Sequence, residues 1–126
     1  MISVPGFLLR RLYVKGSLKN SQDGVTFELK NSLGSGYAKE LAPIEIDGKV
    51  IAKEGCFFLQ EGKKIFFGEV SEQVPFTLAL NKNITIGVRA QNLEPGQHKV
   101  QMGFVVVGLG KLTFDFTDKV DASKPS

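Results

Sequence analysis

Apolar and polar side chains take turns along one short segment after another, with turn-forming residues roughly every 8 to 12 positions, and that pattern leaves this chain little but strands to form. Val25, Phe27 and Leu29 alternate with Thr26, Glu28 and Lys30. Phe76, Leu78 and Leu80 alternate with Thr77 and Ala79, and Ile84, Ile86 and Val88 with Thr85, Gly87 and Arg89. Val100, Met102, Phe104 and Val106 share a parity within a long segment at 98–107, and Leu112, Phe114 and Phe116 close the series. A period of two sends each apolar set to one face of an extended backbone. Leu8, Leu12, Val14 and Leu18 also share a parity, so a first strand is predicted over 8–19. It is expected to pair with 25–29 so that Leu18 faces Val25, Val14 faces Leu29 and Lys15 faces Glu28. Asp47-Gly48 predicts a tight hairpin within 44–51, because both central positions of such a turn need positive φ. The polar 60–64 segment predicts a second hairpin between 57–59 and 65–67, and Asn81-Lys82-Asn83 a third between 76–80 and 84–88. Residues 31–36 read as a loop, 37–41 as an irregular stretch before Pro43, 71–73 as the place for a single helical turn, and 118–126 as a polar tail.

About nine strands in 126 residues, 42% of them hydrophobic, suit one domain spanning 1–126 with one core. A lone sheet would leave its apolar face wet. The expected architecture is therefore all-β: a two-sheet antiparallel β-sandwich of immunoglobulin-like type. No apolar run approaches the roughly 20 residues of a membrane-spanning helix. The net charge of +3 is too slight and too sparsely clustered for nucleic-acid binding. The basic excess lies in the first half, and Arg11, Tyr13, Lys15 and Arg89 are candidate contacts for a small anion. Arg10-Arg11 interrupts the apolar opening where an export signal would need it continuous. Cys56 is the only cysteine, so neither an internal disulfide nor a paired-thiolate metal site is expected, and the default setting is cytoplasmic.

Chemistry is sparse. His98, the only histidine, ends the segment Leu93-Glu94-Pro95-Gly96-Gln97-His98, which reads as a sandwich corner in which the imidazole bonds back to the backbone near Leu93. Asp115, Asp118 and Asp121 lack the ligand spacing of a calcium loop and read as a solvated face. Gly108-Leu109-Gly110-Lys111 reads as a hairpin turn, and Cys56 as an inert, buried thiol. No catalytic residue, metal or cofactor is expected. The surplus of apolar residues is the more telling feature: Phe57 beside Phe58, Phe66 beside Phe67, and Val105 with Val107 flanking Val106 place large groups on both faces of their strands. Phe57, Phe58, Phe66, Phe67, Val105 and Val107 are thus the interface candidates, with a second copy or a larger protein as partner.

The run from Val4 through Asn20, with Asp23-Gly24, Phe27-Glu28-Leu29-Lys30-Asn31, Ile46-Asp47-Gly48, Leu93-Glu94-Pro95-Gly96-Gln97-His98 and Gly110-Lys111-Leu112-Thr113-Phe114, resembles a family of small archaeal and bacterial β-sandwich proteins often labelled hydroxymethylglutaryl-CoA reductase. The chain carries no dinucleotide fingerprint that would go with that activity. Asp47-Gly48 and Pro95-Gly96-Gln97-His98 also give a fainter likeness to the small subunit of the C-glycoside deglycosidases. That likeness implies a partner role, since in those enzymes the chemistry belongs to a larger, metal-holding barrel subunit. The expected function is a non-catalytic interaction module that self-associates or docks on a larger protein. The alternatives are an accessory subunit of a carbohydrate-active or metabolic enzyme and a carrier of small anions.

Overall fold

The computed structural model describes residues 6–32 and 36–120. A helical turn, α1 (Gly6–Leu9), runs into a 3-10 turn at Arg10–Leu12, and eleven strands follow: β1 (Lys19–Ser21), β2 (Gly24–Lys30), β3 (Gly36–Leu41), β4 (Ile44–Ile46), β5 (Lys49–Ile51), β6 (Cys56–Gln60), β7 (Lys63–Phe66), β8 (Phe76–Leu78), β9 (Asn83–Arg89), β10 (Gly96–Val106) and β11 (Gly110–Val120). Single 3-10 turns sit at Lys53–Gly55 and Phe67–Glu69. The named strands pair antiparallel and form two packed sheets, so the chain is an all-β sandwich.

Sheet one has the order β1-β2-β9-β6-β7. Sheet two is organised around β10. β11 pairs with β10 along its whole length, from Gly96↔Val120 to Val106↔Gly110, and so occupies one edge. β3 and β4 must then share the other, at Phe104↔Leu41 and Val100↔Ile46. They behave as one strand broken at Pro43, which has no N–H to give the ladder; Ala42 N, just before the break, still donates to Gly103 O at 2.9 Å. β8 extends β3 outward and β5 extends β4.

Inward-facing residues of both sheets fill the core. Val25, Phe27 and Leu29 of β2 and Ile86 and Val88 of β9 oppose Val100, Met102 and Phe104 of β10 and Phe114 and Phe116 of β11. Two glycines are required by close approach. Gly24 has φ +154°, and a Cβ there would sit 2.0 Å from the Val88 carbonyl oxygen; at Gly87 the Phe57 ring already occupies the Cβ position. Asn31, the one buried polar residue among those described, ties the sheets together: its Nδ2 donates to Leu78 O (2.9 Å) and its carbonyl accepts from Asn81 N (2.7 Å).

Several local expectations are corrected. The segment 8–19 is not a strand. Leu9 and Leu12, spaced by three, are the deeply buried pair, and a helical turn buries both where a strand would split them between faces. The first hairpin closes through Gln22-Asp23 with Ser21↔Gly24, so Lys19 faces Thr26 and Asn20 faces Val25, while Tyr13 bridges Leu29. Lys15 does not oppose Glu28, whose N–H is instead taken by Ser17 Oγ (2.9 Å). The stretch 37–41 is regular strand, paired on both sides. The third hairpin does not exist: β8 belongs to sheet two and β9 to sheet one, so the turn at 79–82 carries the chain between sheets. Local alternation reports which face is buried but not which sheet it joins. Residues 71–73 form bends with no helix, and 118–120 are strand; 33–35 of the expected loop and 121–126 of the expected tail lie outside the described residues.

Gly24→Ala is expected to cost about 2–3 kcal/mol or more, because it adds a backbone clash to an unfavourable φ. Gly68→Ala, with open space around its Cβ, should change stability by no more than about 0.5 kcal/mol. Urea denaturation of both variants checks the pair.

Candidate functional site

The sandwich does not fill one of its ends. At the Gly36 end of β3 the inward residues are Gly36 and Ala38, both small, and they leave a cavity of about 460 Å³ bounded by sheet two, the N-terminal turns and Asn31. Leu9 and Leu12 of the N-terminal turns and Leu112 of β11 wall one side. Phe76 and Leu78 of β8 wall the other, and Phe104 and Val106 of β10 lie between. Tyr37, Val107 and Leu109 line it as well; Tyr37 is 50% and Val107 49% exposed, and Leu109 is half-buried. Among the lining residues only Asn31 has a polar side chain besides the Tyr37 hydroxyl, and its amide is engaged with Leu78 O.

Magnitudes show why this end matters. Sealed and empty, a cavity of about 460 Å³ would cost about 11 kcal/mol at roughly 24 cal/mol per Å³, comparable to the whole stability of an ordinary domain. The space is therefore tolerated as an open site. Its volume and apolar walls are those of small-molecule or side-chain receiving sites.

The six sequence-derived interface candidates do not share a face. Phe58 and Phe67 are core residues, 1% exposed, and present no surface. Phe57 and Phe66 lie on the outer face of sheet one, tilted against each other at 5.7 Å, and the protein covers them with its own cations: Lys64 Nζ sits 4.7 Å from the Phe57 ring centre and the Arg89 guanidinium 4.8 Å from that of Phe66. Val105 is half-buried on the outer face of sheet two. Val107 alone reaches the end cavity.

Arg11, Tyr13, Lys15 and Arg89 do not converge. Tyr13 bridges Leu29 while Arg89 pairs with Gly24, five residues away along β2, or about 17 Å. Tyr13 is a structural rivet. Its ring stacks on Phe116 at 3.6 Å and meets Phe27 edge-on, joining the N-terminal segment to both sheets. Its hydroxyl donates to Asp118 Oδ2 (2.6 Å) and accepts from Leu18 N (3.0 Å). Burial, with the Asp118 bond adding to it, pushes the phenol up to about 12. Burial works against the Asp118 charge too, but bonds from Tyr13, Gly16 N and Lys119 N outweigh it and hold that carboxyl below the usual range. Nearby, Arg10 Nε donates to Asp115 O at 2.7 Å, occupying a carbonyl of edge strand β11. Arg11 and Lys15 are exposed.

His98 bonds in two directions: Nε2 lies 2.7 Å from Glu94 O and Nδ1 2.6 Å from Asp47 Oδ2. Both partners accept, so the ring serves both only as the imidazolium. The Asp47 bond raises the His98 pKa above its usual value, and the same bond lowers that of Asp47, whose Oδ1 also accepts from Lys99 N (2.9 Å). Asp47 holds φ +52° and Gly48 +83°, as their turn demands, so the corner before β10 is clamped to the β4–β5 hairpin. Cys56 is fully buried, its thiol pushed up by that burial and set 3.5 Å from both Ile51 O and Ala52 O. Among the described residues no three His, Cys, Asp or Glu side chains gather to hold a metal; Asp121 lies outside them.

Sequence reasoning named Val107 but missed the rest of the cavity. Its walls come from six separate elements, and each lining residue by itself reads as core. The available signal was Gly36 and Ala38 at inward positions of a strand.

A family model described as hydroxymethylglutaryl-CoA reductase, N-terminal domain, matches residues 8–121. No curated protein matches the chain.

The His98–Asp47 clamp sets a pH dependence. His98 has a raised pKa when folded, so its contribution is complete below its ordinary value of 6.5 and is lost as pH climbs through the raised one. Asp47 has a lowered pKa, so its contribution is present above 3.8 and is lost as pH falls through the lowered one. Urea midpoints of the wild type should therefore decline as pH rises above the ordinary imidazole value of 6.5. His98→Gln should flatten that decline.

Proposed function

The chain belongs to the hydroxymethylglutaryl-CoA reductase N-terminal domain family, and from that premise we propose that it is a non-catalytic interaction module that docks on a larger protein through the open end of its sandwich. The observation that carries this reading is the end cavity with half-exposed Tyr37 and Val107 among its lining residues. Apolar side chains held at a concave site by strands of a rigid sheet are what a partner's apolar group needs in order to be buried. The outer faces offer less: Phe57 and Phe66 are already covered, and Glu40 on sheet two is paired with Lys53 at 3.7 Å.

A second reading, an accessory domain or subunit of a metabolic enzyme, is favoured by the family's description as one N-terminal domain of an enzyme. It uses the same surface, and the larger protein is then the catalytic chain. Self-association through the open end is the remaining form of the same reading.

Sedimentation velocity at micromolar concentration, alone and with the protein encoded beside this one, tests the proposal. The wild type is expected to form a complex. Tyr37→Glu and Val107→Glu, both at exposed positions, should each weaken it about tenfold or more with an unchanged melting temperature. A monomer under both conditions, or a complex indifferent to both substitutions, would overturn it.

A further inference from the structure

We propose that the end cavity receives one flexible hydrocarbon chain, acyl or prenyl in type, laid between the open end of sheet two and the N-terminal turns with its polar end left in solvent. This deepens the docking reading and rests on it by naming what the module takes up where it meets its partner.

The chemistry of the walls narrows the occupant. No Lys, Arg, Asp, Glu or His lines the cavity, and the Asn31 amide is already engaged with Leu78 O. A sugar, a nucleotide or a free anion would lose its hydration there and gain little beyond the Tyr37 hydroxyl in return. Water fares little better, since a buried water needs two to four polar neighbours, and such apolar spaces take hydrocarbons readily. Size narrows it further. About 460 Å³ lies in the range of pockets that hold small molecules. The walls are an uneven set of side chains from sheet two, the N-terminal turns and the β10–β11 turn. An alkyl chain adapts to such walls; a rigid fused ring does not.

Gly36 makes the proposal testable. It has the inward parity of Ala38, lines the cavity, shows no strained φ, and has nothing within 4 Å of the place its Cβ would take. Gly36→Phe should fill the slot from the β3 side while leaving the fold intact.

Isothermal titration of the full chain with octanoate, dodecanoate, hexadecanoate and dodecanol, each below its micelle concentration, is the experiment. Affinity should rise about threefold to fourfold per methylene until the slot is full. Dodecanol should match dodecanoate within about threefold, since no charge waits for the head group. Gly36→Phe should lower dodecanoate affinity at least about tenfold without lowering the melting temperature. Should that variant fail to fold, Ala38→Leu provides the same obstruction with a smaller group. Absence of binding at every chain length, or binding that follows head-group charge and not length, overturns the proposal. The two readings fail separately. If no chain binds but Tyr37→Glu still breaks the protein complex, the cavity receives a protein side chain and the docking reading stands. If chains bind and Gly36→Phe blocks them while no complex forms, the chain site stands without the docking.

Discussion

Val100, Met102 and Phe104 point from one strand into the space between two sheets, and β10 cannot turn them elsewhere because both of its edges are hydrogen-bonded. A one-residue slip would send all three to the outer face and Gln101 and Gly103 to the core. That constraint propagates. β11 must keep the parity that buries Leu112, Phe114 and Phe116, while β3 and β4 bury Ala38, Leu41, Ile44 and Ile46 by shifting phase at the bulge opposite Val105 and Val106 and again at the break around Pro43. Sheet one then closes over the layer so formed. The sandwich is held by this shared burial, with Tyr13 pinned among Phe27, Phe116 and Asp118 as the fastener at its N-terminal side.

The same constraint produces the open end. Where β3 offers Gly36 and Ala38 as its inward residues, the neighbouring strands continue to present Phe76, Phe104 and Val106, and the space in front of the small residues goes unfilled. The N-terminal turns close part of it with Leu9 and Leu12, and Asn31 fixes the crossing between sheets beside it. The site is thus a consequence of side-chain volume at two positions. Its rigidity comes from the strands that carry it.

Much of this was legible in the residues and some was not. Strand after strand follows from alternation, and the Asp47-Gly48 turn from its need for positive φ. The partition of strands between sheets was hidden, because Phe76, Leu78, Ile84 and Ile86 alternate identically whether their segments pair with each other or part company. The N-terminal turns were hidden because Leu8, Leu12, Val14 and Leu18 share a parity that Leu9 and Leu12 overrule by packing at helical spacing. Phe57 and Phe58 do take opposite faces of β6, whereas Phe67 opens a 3-10 turn after β7, and the covering of Phe57 and Phe66 by Lys64 and Arg89 depends on how side chains meet in space. The cavity was least visible of all, since it is a shortage of volume, and a sequence shows only the volume that is present.

Crystals of the full chain soaked under xenon pressure test this account most directly, because xenon enters accessible apolar space without needing any partner or chain. Xenon is predicted in the space bounded by Leu9, Phe76, Phe104 and Leu112. An end found packed shut by its own side chains, or filled with hydrogen-bonded water that excludes the gas, would contradict it.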